Sequence, residues 1–145
     1  MHSKEFLGRL DHKRISCAIA TAETKTSGEI RVYIQRGEVS EEPLEFGQKK
    51  FVELGMTKTS ERNAILILVA PRSRKFAVIG DEGIHKKCGT ELWQHLVDTM
   101  RAHFQREEFT DALVGAIDSG GQLLAQHFPR QENDRNELPD CVIED

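Results

Sequence analysis

The chain has 145 residues, a formal net charge of -4, and 30% charged against 38% hydrophobic residues. That length supports one domain with a core of its own, needing no disulfide or metal staples. The mild acidity, without a basic stripe interleaved with aromatics, argues against nucleic acid as a partner, and no apolar run approaches the roughly 20 residues that span a bilayer.

Residues 1–10 read as a leader, with Phe6, Leu7 and Leu10 as a leading helical turn and no signal-peptide core. A cytoplasmic location is the expectation. Asp11 is a good N-cap for a helix over Asp11–Lys25, in which Ile15, Ala18, Ile19 and Ala22 recur on one face. Gly28 is expected to end it in the left-handed conformation. Glu29–Ile34 alternates polar and apolar residues, as a half-buried strand does. Pro43 suits the first turn of a second helix with Leu44, Gly47 or Gln48, Phe51 and Leu54 inward, closed by Gly55. Strand, helix, strand at this length is a βαβ unit, so the first two strands should run parallel.

The strongest local signal is the stretch Arg62–Asp81. Ala64–Ala70 is unbroken and apolar, and so reads as a strand buried on both faces. Pro71-Arg72-Ser73-Arg74 makes a turn, and Lys75–Ile79 returns as the second arm of a hairpin. Ile84–Gly89 reads as a loop, after which Thr90 and Thr110 are expected to cap two further helices. Gly120-Gly121 inside the last one costs about 1 kcal/mol per glycine relative to alanine, explained by close packing against a neighbour or by a kink. Residues 131–145 are polar and acidic and read as a disordered tail, leaving a domain over 11–130. The expected fold class is α/β, a short mixed β-sheet sandwiched between helices in the order α-β-α-β-β-α-α.

The strand directions bring three separate loops to one edge of that sheet: Thr26–Glu29, Thr59–Asn63 and Gly80–Gly83. Carboxylates, an amide, hydroxyls and glycines meet there, oxygen donors of the kind that hold calcium or magnesium. Gly28, Gly80 and Gly83 would let backbone approach a ligand closely. A plainer reading stands beside this one: strand ends are rich in such residues because they are turns, and Glu29 with Arg62 forms an ordinary ion pair.

Other chemistries find no support. Cys88 is followed six positions on by Gln94, where a thiol phosphatase needs arginine, and there is no P-loop, no Gly-x-Ser-x-Gly elbow and no Asp-x-Asp. Cys17, Cys88 and Cys141 are odd in number and form no Cys-x-x-Cys pair, so Cys17 reads as a small core residue and the others as loop and tail thiols.

The segments Ile15-x-x-Ala18-Ile19-x-x-Ala22-Glu23-x-x-Thr26-Ser27-Gly28-Glu29-Ile30-Arg31-Val32, Phe51-x-x-Leu54-Gly55-Met56-x-x-Thr59, Arg62-Asn63-Ala64-Ile65-Leu66 and Val78-Ile79-Gly80-Asp81-x-Gly83-Ile84 together resemble the TPM domain. This is the family of a thylakoid-lumen phosphatase, a photosystem II repair protein and a worm receptor regulator. The resemblance spans about 11–130 and implies an α/β sandwich, a phosphatase label and, in some members, divalent cations in loops. It falls on Glu29, Asn63, Gly80 and Asp81. Unlike many relatives, this chain is expected to carry neither signal sequence nor anchor, and residues 131–145 read as acidic rather than glycine-rich.

Two functions of the edge follow as expectations, beside a third reading in which the edge is structure only and function lies in partner contact through the helices or the tail. In the first, a broad divalent-cation-dependent phosphatase acts on a phosphorylated substrate. Glu29 and Asp81, assisted by Glu82, hold calcium or magnesium, Asn63 and the Gly80–Gly83 backbone orient phosphate, and Arg62 offsets its charge. In the second, the same edge belongs to a non-catalytic module that binds a cation or a protein partner.

Overall fold

The computed structural model describes residues 2–130 and 142–144. The chain opens with helix α1 (Ser3–Gly8), whose Phe6 is buried in the main core, so the expected leader is part of the domain. Asp11 caps α2 (His12–Glu23) by accepting from the Arg14 amide at 3.1 Å. The helix presents Ile15 and Ile19 to the core, as their spacing requires. Gly28 does not serve as its left-handed cap. The helix closes at Thr24 with ordinary helical torsions, and among the described glycines positive φ occurs at Gly55. Cys17 lies on the exposed side of α2 rather than in the core, because the buried stripe passes through positions 15, 19 and 22.

Strand β1 (Glu29–Ile34) leads through α3 (Pro43–Glu53) and a 3-10 turn (Met56–Lys58) to β2 (Ala64–Ala70). All seven residues of β2 are buried, the pattern expected of a central strand covered on both faces. A 3-10 turn over Pro71–Ser73, with Arg74 left-handed at φ 51°, reverses the chain into β3 (Lys75–Gly80). β1 pairs parallel with β2, placing Glu29 opposite Ala64, and β3 pairs antiparallel with β2, placing Gly80 opposite Ile65. The mixed sheet runs β3-β2-β1, and Val142–Glu144 adds a short parallel strand, β4, beside β1. Of the acidic tail, 131–141 and 145 lie outside the described residues.

Strand alternation divides the interior in two. Ile30, Val32, Ile34, Ile65, Ile67, Val69 and Val78 point to the larger core under α1, α2, α5 (Thr90–Gln105) and α6 (Phe109–His127). Tyr33, Leu66, Leu68, Ala77 and Ile79 point to the smaller core under α3. Gly121 lets α6 meet α2: a Cβ there would lie 2.7 Å from that of Ala22. Helix–helix contact, rather than a kink, thus accounts for that glycine.

Three local expectations are corrected. The stretch after Gly80 is a short helix, α4 (Glu82–Lys87), because Asp81 caps it, Glu82 faces its positive end and His85, Lys86 and Lys87 its negative end. Thr90 is the first residue of α5, with Gly89 as the cap position. Thr110 lies within α6, and its hydroxyl accepts from the Asp11 amide at 3.0 Å instead of capping its own helix.

Candidate functional site

The edge formed by the start of β1, the start of β2 and the end of β3 does gather the three loops. Asn63 is buried, its amide donating to Thr59 Oγ1 at 3.2 Å. Its side-chain Nδ2 donates to Ser27 Oγ at 3.1 Å and to Glu61 Oε2 at 3.2 Å. The Ser27 hydroxyl completes a triangle by donating to Glu61 Oε2 at 2.6 Å.

Arg62 and Asp81 form the second half of the edge. Arg62 holds a left-handed backbone at φ 53°, which turns its guanidinium across to the end of β3. Its Nε donates to Asp81 Oδ2 at 2.7 Å and its Nη2 to Asp81 Oδ1 at 2.9 Å, the two-pronged geometry of a strong charged pair. Nη1 reaches Glu82 Oε1 at 3.3 Å. Asp81 Oδ1 also accepts the Glu82 amide at 2.8 Å as the cap of α4. The Asp81 side chain is 5% exposed and that of Arg62 39%. The hydrogen bonds to Asp81 raise the Arg62 guanidinium further above its already high range, so it stays charged.

The three glycines face protein atoms. A Cβ at Gly83 would lie 2.3 Å from the Glu61 carbonyl oxygen and 2.6 Å from that of Arg62, and the Gly83 amide donates to the Arg62 carbonyl at 2.9 Å. A Cβ at Gly80 would lie 2.8 Å from the Trp93 ring, and one at Gly28 3.0 Å from the Asn63 carbonyl oxygen. Each glycine admits a neighbouring element of the fold. Glu29 is buried at 2% exposure, at the β1 end of the same edge.

Residues that sequence reasoning passed over complete the picture. Glu23, 2% exposed, accepts the Ile30 amide through Oε2 at 2.9 Å and so pins the end of α2 to β1. Ser27, Thr59 and Glu61 were placed at the edge by topology but carried no assigned role. Their hydroxyl and carboxylate types were the signal; the pairing among them needs coordinates. Cys88 closes α4, and burial pushes its thiol up from the ordinary cysteine range against the opposing influence of Lys87.

As a calcium centre this arrangement fits poorly. Both Asp81 oxygens already accept hydrogen bonds from Arg62, one also from the α4 amide, whereas calcium takes about six to eight oxygen ligands. Among the described residues no group of three or more His, Cys, Asp or Glu side chains converges on one point. No helix of the described residues is long and apolar enough to cross a membrane.

Residues 2–123 match the family model described as the TPM domain. In structure the chain is similar to the BA42 protein from the psychrophilic bacterium Bizionia argentinensis, solved by NMR. The two share 31% identity over 92% of each chain, with a TM-score of 0.85. Among curated proteins none matches.

Proposed function

The chain belongs to the TPM domain family, and on that premise we propose that it works as a non-catalytic accessory module whose polar sheet edge contacts a protein partner. One observation carries this reading: the Asp81 carboxylate, the group on which metal chemistry would turn, is already committed to the Arg62 fork and the α4 cap. Ser27, Glu61 and Asn63 likewise satisfy one another. An edge whose polar groups are matched before any ligand arrives is a rigid contact surface. Glu61 is exposed and the Glu82 side chain is 56% exposed, so both offer carboxylates to basic side chains on a partner.

A second reading, the divalent-cation-dependent phosphatase, draws support from the convergence of Arg62, Asn63, Asp81, Glu82 and the Gly83 backbone at one place. It requires Arg62 to leave Asp81 when calcium or magnesium enters beside Glu29 and Glu82.

Titration with each ion, followed by para-nitrophenyl phosphate turnover in wild type and Asp81→Asn, separates the two. The module reading expects equal, background turnover in both proteins. It also expects amide shifts at residues 59–63 and 81–83 when a lysine-rich peptide is added, lost in the Glu61→Gln/Glu82→Gln variant. Cation-dependent turnover that disappears in Asp81→Asn would establish the phosphatase instead.

A further inference from the structure

The opposite end of the sheet is built differently. Where β2 passes into β3, a cavity of about 570 Å³ opens between the hairpin turn, α1, the end of α5 and the start of α6. Its walls are aromatic: Phe6 packs on Phe109 at 4.9 Å between ring centroids, and Phe76 on Phe104 at 5.2 Å. Phe76, Phe104 and Phe109 are only partly buried, and each contributes to the cavity wall. Volumes of roughly 300–1,000 Å³ are those of small-molecule sites. In sheets with parallel strands, ligands settle outside the carboxyl ends of those strands. This cavity is lined by Val69 and Ala70, the last residues of β2.

The charges around it are unequal. Arg74, Lys75 and Arg101 line the cavity together with Glu107. Glu107 is paired with Arg9 at 3.5 Å, so its charge is already met. The Lys75 ammonium donates to the Val39 and Glu41 carbonyls at 2.9 and 3.2 Å, which ties it to the loop before α3. Arg101 gives one nitrogen to Asp98 at 3.2 Å while its guanidinium lies 5.6 Å from the centre of the Phe76 ring. Arg74 is exposed and has no acidic partner within 4 Å among the described residues. An aromatic groove lined by Arg74, which has no acidic partner among the described residues, and by Lys75, whose acceptors here are neutral carbonyls, suits a molecule that is apolar at one end and anionic at the other.

We propose that the aromatic cavity at the β2–β3 turn binds a small apolar monocarboxylate, its hydrocarbon part among Phe76, Phe104 and Phe109 and its carboxylate on Arg74 with Arg101 beside it. This site is separate from the polar edge. The two lie at opposite ends of β2, roughly 20 Å apart at about 3.3 Å per residue.

The test is a heteronuclear NMR titration of the full chain with 2-naphthoate, with neutral 2-naphthamide as the matched control. Saturable one-site shifts are expected for residues 69–76 and 101–109 and for the Phe104 ring, with the carboxylate bound about tenfold more tightly than the amide. Arg74→Gln leaves the apolar walls untouched. It should weaken naphthoate about tenfold while moving naphthamide less than about twofold. Phe104→Leu should weaken both, with an unchanged amide spectrum elsewhere confirming the fold. No saturable shift at millimolar naphthoate, shifts confined to other surfaces, or equal affinity for acid and amide would each overturn the assignment.

Discussion

At the end of the sheet where β2 begins and β3 finishes, backbone meets backbone: Gly83 lies so near the carbonyls of Glu61 and Arg62 that no side chain fits. Polar groups there are paired in hydrogen bonds of 2.6–3.3 Å. At the other end, where β2 turns into β3, four phenylalanines leave about 570 Å³ unfilled and Arg74 stands without an acidic partner among the described residues. The same two strands thus run from a closed polar edge to an open apolar one. Polar residue types can gather at an edge that is already internally hydrogen-bonded, and room for a ligand is a separate property that composition does not reveal.

Four substitutions or modifications test how sharply the two ends differ. Gly83→Ala should be the most damaging, at about 4 kcal/mol, because the added methyl meets backbone rather than a flexible side chain. Urea denaturation measures it, and a loss below about 1 kcal/mol would mean that the closed end can relax. Phe6→Ala at the open end should cost about 3 kcal/mol, near the lower end for a buried phenylalanine because one side of the ring already borders a cavity. Its unfolding curve against that of Gly83→Ala orders the two ends directly.

Asp81→Ala removes the α4 cap and the partner of Arg62 together, and about 2 kcal/mol is expected. Amide exchange should show the loss concentrated in residues 82–87. Uniform loss across the sheet would instead make Asp81 part of the global fold. The smallest effect concerns Cys88. Burial raises its thiol, so less thiolate is present at pH 8 and its alkylation should lag behind that of an unstructured cysteine peptide. The gap should narrow as pH rises toward the shifted value. Peptide-resolved mass spectrometry reads both rates, and equal rates at pH 8 would show the thiol to be open to solvent.

Much of the architecture was readable from residue order. The apolar run Ala64–Ala70, the stripe Ile15–Ile19–Ala22 and Pro43 at a helix start each sit where local periodicity and backbone chemistry put them. The edge was also legible, since two parallel strands and a hairpin allow only one end at which Ser27, Asn63 and Asp81 can meet. Helix α4 was hidden because Gly83 in a Gly-Asp-Glu-Gly run reads as a turn. Its glycine is needed for close approach to Glu61 and Arg62 in the loop before β2, and only the packed neighbour reveals that.

By itself, then, the sequence determined the family, the main helices and strands and the double burial of β2, because these depend on the spacing of side chains along a chain of fixed geometry. That β1 is also covered on both faces, where alternation had suggested one, came from the packing of the smaller core under α3 against it. The tertiary structure alone decided that Arg62 clamps Asp81 and Glu82, and that Ser27, Glu61 and Asn63 close on one another. It alone drew Phe6, Phe76, Phe104 and Phe109 around an open space beside Arg74. Those outcomes turn on ångström distances between residues far apart in the chain, set by the packing of all the layers at once, and no local pattern encodes them.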